Sequence, residues 1–151
     1  MISPETLRRY SFFAALDPAT LKEIAMLSSE VAFQAGEWLF HQGDPAEAFY
    51  LILEGAVDLQ LNLDEAGTRR VDMCRLVEGD VVGWSALVEP HVYTLGAVAS
   101  SATRLAKLDG AAMRDLMNRE PAVGYQIMQR LSRVLAQRLT NMRVRFASFT
   151  P

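Results

Sequence analysis

The chain has 151 residues, half of them hydrophobic and only one of them cysteine. This size and composition suit one compact domain with a hydrophobic core and leave no room for a second full domain. A lone cysteine excludes an internal disulfide and a cysteine metal cluster, as is typical of a reducing compartment. The charge is uneven, because residues 1–103 hold 6 Lys or Arg against 15 Asp or Glu, whereas residues 104–151 hold 9 against 3.

The chain shows no targeting or membrane-spanning pattern. Its first ten residues, MISPETLRRY, lack the apolar stretch of a secretory signal, and no apolar run is long enough to cross a bilayer. We therefore expect a cytoplasmic protein that does not associate with membranes.

Residues 1–30 are predicted to form short helices. The range 6–13 indicates one of them. Asp17 and Pro18 mark the start of another, since aspartate is a favoured N-cap and proline fits the first helical position. Leu16 and Leu21 have the spacing of a hydrophobic staple around that start.

Residues 31–109 are predicted to be mainly β-structure. Apolar and polar residues alternate from Val57 to Leu63, which indicates an antiparallel strand with one solvated face. The apolar run from Tyr93 to Ala99 indicates a buried strand. Many short strands separated by glycine-containing turns favour a β-sandwich or a jelly-roll barrel.

Residues 110–147 are predicted to be helical. Asp109 is a plausible N-cap for a short helix, and Pro121 begins a second helix of about 25 residues, roughly 38 Å long. An apolar stripe runs along this second helix at heptad spacing: Tyr125, Met128, Ser132, Leu135, Leu139, Met142 and Phe146. We expect one edge of it to pair in parallel with the same helix of a second copy, giving a homodimer. The alternative is that the stripe packs wholly on its own β-domain.

The order and spacing of several motifs resemble the cyclic-nucleotide-binding domain family, the sensor module of the catabolite activator protein. The matching positions are Val31, Gly36-Glu37, Leu39-Phe40, Gln42-Gly43-Asp44, Glu47, Tyr50-Leu51-Ile52, Gly55, Gly79-Asp80 and Gly83 to Leu87. The resemblance covers nearly the whole chain, 1–151, as one domain. It implies an eight-stranded antiparallel jelly roll with flanking N-terminal helices, a long C-terminal helix and a phosphate-binding cassette at 79–99.

The cassette departs from the family pattern at two positions. The residues Gly83, Trp84, Ser85, Ala86 and Leu87 are expected to form a nest of backbone amides that binds an anion. The resemblance places Trp84 where the family has a ribose-binding glutamate, and Tyr93, followed by Thr94, where it has a phosphate-binding arginine. The family's long helix supplies base contacts, which implies roles for Arg133, Gln137 and Arg138. Binding of cyclic AMP is therefore expected to be weak or absent.

Two interpretations of Trp84 and Tyr93 remain open. In the first, the two rings and the phenol hydroxyl receive a different planar or less charged ligand. In the second, both rings plug an unused pocket, and the chain is an interaction or dimerisation module with an unidentified protein partner. No cofactor follows from the residues alone. The candidates are cyclic AMP, cyclic GMP or another small planar or anionic ligand.

Other functions find little support. His41 and Glu47 loosely match the first motif of metal-dependent cupins, but His91 is the only other histidine, so three imidazole ligands cannot be assembled. Ser85 lies in GWSAL, which is not a nucleophile motif. We expect neither a catalytic residue nor a metal site. The sequence ends shortly after the long helix, without the two further helices of a DNA-reading motif, so direct DNA binding is not expected.

Overall fold

The computed structural model describes residues 1–149. Over these residues the chain forms four α-helices, a short 3-10 helix and eight strands. The helices are α1 (Pro4–Arg8), α2 (Pro18–Met26), the 3-10 helix (Trp84–Ala86), α3 (Gly110–Arg119) and α4 (Pro121–Ala147). The strands are β1 (Ser28–Phe33), β2 (Trp38–Phe40), β3 (Ala48–Glu54), β4 (Ala56–Asn62), β5 (Arg70–Val77), β6 (Val81–Val82), β7 (Gly96–Ala99) and β8 (Thr103–Asp109).

The strands form two antiparallel four-stranded sheets that pack as a jelly-roll sandwich. One sheet has the order β1-β8-β3-β6, and the other has the order β2-β7-β4-β5. Strand β3 lies inside the first sheet and is buried along all but its last residue, as its continuous apolar sequence requires. Strand β4 alternates buried and partly exposed residues at its start, which confirms the alternation seen in the sequence. The predicted fold class is thus confirmed.

The predicted helix starts are confirmed by their capping contacts. The Asp17 side chain accepts a hydrogen bond from the Thr20 amide at 2.7 Å. The Asp109 side chain accepts one from the Ala112 amide at 2.9 Å. Each bond satisfies a backbone N–H that has no partner within its helix. The charged caps therefore fix where α2 and α3 begin.

Three predicted boundaries were wrong. The first helix covers Pro4–Arg8 instead of 6–13, because turns follow it. The first strand begins at Ser28, three residues before the predicted start, because it pairs with β8 from that point. The strand predicted from Tyr93 begins only at Gly96. The backbone of Tyr93 bonds instead to the loop at Gly43 and Asp44, a long-range pairing that the local sequence does not show.

Helix α4 lies partly on the domain and partly in solvent. Its buried residues are Val123, Ile127 and Leu131. Of the predicted apolar stripe, Leu135 packs against the core, while Tyr125 is 68% exposed and Leu139 is 49% exposed. The stripe therefore does not pack wholly on its own domain.

Candidate functional site

A cavity of about 850 Å³ lies between the second sheet and helix α4. Its apolar wall comes from both sides and includes Leu59, Leu76, Leu95, Val134 and Leu135. This volume lies within the range of small-molecule sites, which are mostly apolar with a few placed polar groups. The cavity is therefore the candidate ligand site.

The structure brings half of the predicted site residues to this cavity. Those that line it are Trp84, Thr94, Arg133, Gln137 and Arg138. Those that do not line it are Gly83, Ser85, Ala86, Leu87 and Tyr93. The residues of the second group do not reach the cavity because most of them are buried against the core.

Segment 83–87 is held by its own hydrogen bonds. Gly83 has φ +86°, and a Cβ there would lie 3.0 Å from the Ala48 carbonyl oxygen. The Ala86 amide donates to the Gly83 carbonyl at 3.1 Å, and the Leu87 amide donates to the Trp84 carbonyl at 2.9 Å. These two amides are thus engaged within the turn, in contrast to the predicted anion-binding nest.

Helix α3 anchors the same segment. The guanidinium of Arg114 donates through Nη1 to the Ala86 carbonyl at 2.6 Å. A charged donor makes a stronger hydrogen bond than a neutral one. The position of the 3-10 helix is therefore tied directly to the helix that precedes α4.

Tyr93 is a core residue and does not line the cavity. Its ring stacks on Phe40 with centroids 3.5 Å apart and planes 8° apart, and its side chain is 5% exposed. Its hydroxyl donates to the Ala48 carbonyl at 2.6 Å and accepts from the Ala48 amide at 3.3 Å. Burial raises the pKa of this phenol to about 12. The Tyr93 hydroxyl is thus engaged within the protein, and its role as a donor to the ligand stays a prediction.

Trp84 has a different position from Tyr93. It is half-buried, packs at the edge of the core and lines the cavity. Of the two aromatic residues that were predicted to act together, only Trp84 offers its ring to a ligand. Trp84 begins the 3-10 helix, whereas Tyr93 lies in the loop that follows it.

Arginines dominate the charge of the cavity. Among residues 1–149 its lining holds five of them against one carboxylate, Asp80; the arginines are Arg75, Arg130, Arg133, Arg138 and Arg145. Asp80 accepts a hydrogen bond from the Val77 amide at 2.8 Å. Arg75 makes a two-pronged ion pair with Asp58 at 2.8 and 3.1 Å. The four arginines of α4 therefore give the site an excess of positive charge.

Arg138 occupies the most enclosed position among these groups. Its Nη2 donates to the Val81 carbonyl, while its Nη1 is buried and has no hydrogen-bond partner in the part of the chain that the structure describes. Burial lowers the pKa of this guanidinium, and nearby Cys74 and Asp80 partly oppose the shift. Such a group is costly to leave unpaired.

Arg145 and Cys74 are two of the lining residues that lie outside the predicted site. Arg145 donates through Nη1 to the Met73 carbonyl at 2.7 Å, so it ties the end of α4 to strand β5. It lies seven residues after Arg138, and this two-turn spacing places both on one helix face. Cys74 is partly buried in β5, and burial raises the pKa of its thiol. Nothing in the local sequence of Cys74 indicated that it lines a cavity.

Further structural observations limit the possible chemistry. In the described residues, no three His, Cys, Asp or Glu side chains are grouped so that they could hold a metal ion. In the same part of the chain, no helix has the length and apolar content needed to cross a bilayer.

Comparison with known proteins gives one family. A family model described as the cyclic nucleotide-binding domain matches residues 30–120. A solved structure from Geobacter metallireducens GS-15, named as a cyclic nucleotide-binding protein, is 35% identical with a TM-score of 0.83, covering 92% of this chain and 99% of that one.

Two curated relatives are longer proteins. A protein of Rhodopseudomonas palustris named as a potassium channel protein is 34% identical over 80% of this chain and 28% of its own length. A Mycobacterium tuberculosis protein named as a CRP-like cAMP-activated global transcriptional regulator is 25% identical over 89% of this chain and 58% of its own length. The chain thus spans less than two thirds of either relative.

Proposed function

The chain belongs to the cyclic nucleotide-binding domain family, and we propose that it is a non-enzymatic sensor module that binds a small planar ligand in the cavity under α4. The observation that carries this proposal is the cavity itself, which combines apolar walls, the Trp84 ring and four arginines of α4. A cytoplasmic location is part of the proposal. The relative named as cAMP-activated makes cyclic AMP the first ligand to test. Cyclic GMP, the other nucleotide that the sequence suggested, is the second.

We expect cyclic AMP to bind weakly. The position expected to hold the phosphate-binding arginine holds Tyr93, whose hydroxyl is engaged by Ala48. A hydrogen bond to a charged group contributes about 1.5–3 kcal/mol, which corresponds to roughly ten- to a hundredfold in affinity. Trp84 also replaces the ribose-binding carboxylate with a bulky ring.

The proposed readout is a shift of α4. Glu120 has a non-helical backbone, with φ −126° and ψ 83°, and separates α3 from α4. Helix α4 lines the cavity and touches the sheets through Arg138 and Arg145. A ligand can move α4 only if it binds one position of the helix more tightly than another. The break at Glu120 gives the helix a place to pivot.

We also propose that α4 pairs with α4 of a second copy. Exposed apolar side chains on this helix support it, including Tyr125 at 68%, Met128 at 39% and Val144 at 67%. Replacing Met128 with Glu places a charge on this surface without touching the cavity. Sedimentation should show at least a tenfold weaker dimer for M128E, while the Gln129→Glu variant, an equal charge change one residue away, should match wild type. A monomeric wild-type chain would overturn the pairing.

The competing function is a protein-interaction module whose cavity takes no ligand. The exposed apolar surface of α4 favours this second function. Titration calorimetry of the ligand-free protein with cyclic AMP, and then with cyclic GMP, tests the sensor proposal. We expect binding weaker than micromolar for both. Tight binding of either would refute the predicted weakness, and a chain that binds no planar ligand at millimolar concentration would favour the interaction module.

A further inference from the structure

We propose that the preferred ligand is a small aromatic anion whose negative group lies against Arg138 of α4, with its ring beside Trp84. This inference rests on the proposed function of the same cavity and adds the chemical class and the orientation of the ligand. It differs from the arrangement that the sequence implied, in which segment 83–87 receives the anion.

Arg138 holds a buried nitrogen that has no hydrogen-bond partner within residues 1–149. Buried polar atoms almost always have a hydrogen-bond partner, and the exceptions call for an explanation. Nη1 of Arg138 has no partner among the described residues, although Nη2 of the same group bonds the Val81 carbonyl. The Arg138 side chain lines the cavity, and a carboxylate, sulfonate or phosphate oxygen placed there forms a charge-assisted bond with a guanidinium.

The charge around Arg138 is predominantly positive. Arg133 and Arg130 lie one and two turns before it on α4 and line the same cavity. The carboxylate of Asp80 already accepts from the Val77 amide, and its single charge does not balance these arginines. An anion in a partly enclosed site of this sign is favoured, because positive charges in a shaped cleft raise its local concentration.

Segment 83–87, the alternative place for the anion, is occupied by contacts within the protein. The amides of Ala86 and Leu87 donate to the preceding turn, and the Tyr93 hydroxyl is shared with Ala48. Ser85 is 4% exposed and does not line the cavity. The polar groups of segment 83–87 thus offer little to an anion in this cavity.

The Trp84 ring and the apolar wall of the cavity suit an aromatic ring in the ligand. Trp84 lines the cavity together with apolar side chains from the sheet and from α4, including Leu76, Leu95 and Val134. Aromatic rings prefer offset-stacked or edge-to-face contacts with other aromatic rings. A flat apolar body with one anionic substituent therefore matches both ends of the site.

The test uses naphthalene-1-sulfonate as the probe and neutral naphthalene-1-sulfonamide as its counterpart. Calorimetry should show at least tenfold tighter binding of the sulfonate to the wild-type protein. The Arg138→Gln variant should lose ten- to a hundredfold in affinity for the sulfonate and keep its affinity for the sulfonamide. The Arg143→Gln variant, an exposed position on the same helix outside the cavity, should change neither.

Two results would overturn the inference. One is equal affinity of the wild-type protein for the two probes, and the other is an unchanged sulfonate affinity in R138Q. If R138Q does not fold, Arg138→Lys serves instead. It keeps the charge but loses the two-nitrogen geometry, so its sulfonate affinity should fall while its sulfonamide affinity stays at the wild-type value. An unchanged sulfonate affinity in R138K would then overturn the inference. Cyclic nucleotides are measured separately, so a failure of nucleotide sensing is distinguishable from a failure at Arg138.

Discussion

Segment 83–87, packed together with Tyr93, and the inner face of α4 differ in how their polar groups are satisfied. Of the first region, Trp84 lines the cavity, whereas α4 contributes several lining residues. In the first region, the Ala86 amide and the Tyr93 hydroxyl bond to protein atoms. In the second region, Nη1 of Arg138 has no partner in the described part of the chain. Groups already bonded within the protein hold the fold, whereas a buried donor without a partner calls for an explanation, and Arg138 lines the cavity. We therefore expect the first region to stabilise the fold and propose that the second recognises the ligand.

The largest expected effect tests whether Tyr93 holds the fold. Tyr93→Ala should lower the free energy of unfolding by about 3–5 kcal/mol, because a buried ring and its hydrogen bonds are lost. Urea unfolding measures this, with Tyr125→Ala as the exposed control, expected to change stability by less than about 0.5 kcal/mol. A stable Y93A protein with altered ligand affinity would contradict a structural role for Tyr93.

Arg114 tests the anchoring of the 3-10 helix. Arg114→Gln should destabilise the protein by about 1.5–3 kcal/mol, because the charged hydrogen bond to the Ala86 carbonyl is lost. Chemical denaturation of R114Q and of the exposed control Arg143→Gln gives the difference. Equal midpoints for the two variants would show that the anchor contributes nothing.

Gly83 tests whether the close approach to β3 is structural. Gly83→Ala should destabilise the fold by about 1–3 kcal/mol, since a positive φ is strained for alanine. Gly43 has a similar φ of +92° but no heavy atom within 4 Å of an added Cβ, so Gly43→Ala measures the strain alone. We expect thermal unfolding to place G83A below G43A. Equal losses would mean that the contact with Ala48 has no energetic weight.

The phenol of Tyr93 predicts a dependence on alkaline pH. Its pKa is raised by burial from 10.0 to about 12, so folding favours the neutral phenol. This contribution is fully present below pH 10 and is lost as the pH rises towards 12. After allowance for solvent screening, the stability lost by pH 11 is no more than about 1 kcal/mol. Urea unfolding at pH 9 and pH 11 should show a smaller loss for Tyr93→Phe than for wild type, and parallel losses would contradict the assignment.

Local features of the sequence were enough for many elements. The N-caps Asp17 and Asp109 and the first-turn proline of α4 predicted helix starts correctly, because capping involves only neighbouring residues. The spacing of the glycines predicted the family and the jelly roll. By contrast, the strand predicted from Tyr93 was shortened to Gly96 by backbone pairing with residues 43 and 44, which no local pattern reveals.

The candidate site was predicted only in part. Trp84 and the three α4 residues line the cavity as expected, because the family resemblance fixes which elements face it. The orientation of Tyr93 depends on Phe40 and Ala48, more than forty residues away in the chain. The sequence offered two roles for that ring, and choosing between them required its tertiary contacts.

The sequence by itself determined the types of element, their order and the family, because capping, alternation and glycine spacing act over short distances. Only the tertiary structure decided which polar groups are already bonded and which remain free. The Tyr93 hydroxyl is satisfied, and Arg138 Nη1 lacks a partner within residues 1–149, because of strands and helices that are distant in sequence. A hydrogen bond requires two groups within about 3 Å, and only the folded chain brings them that close.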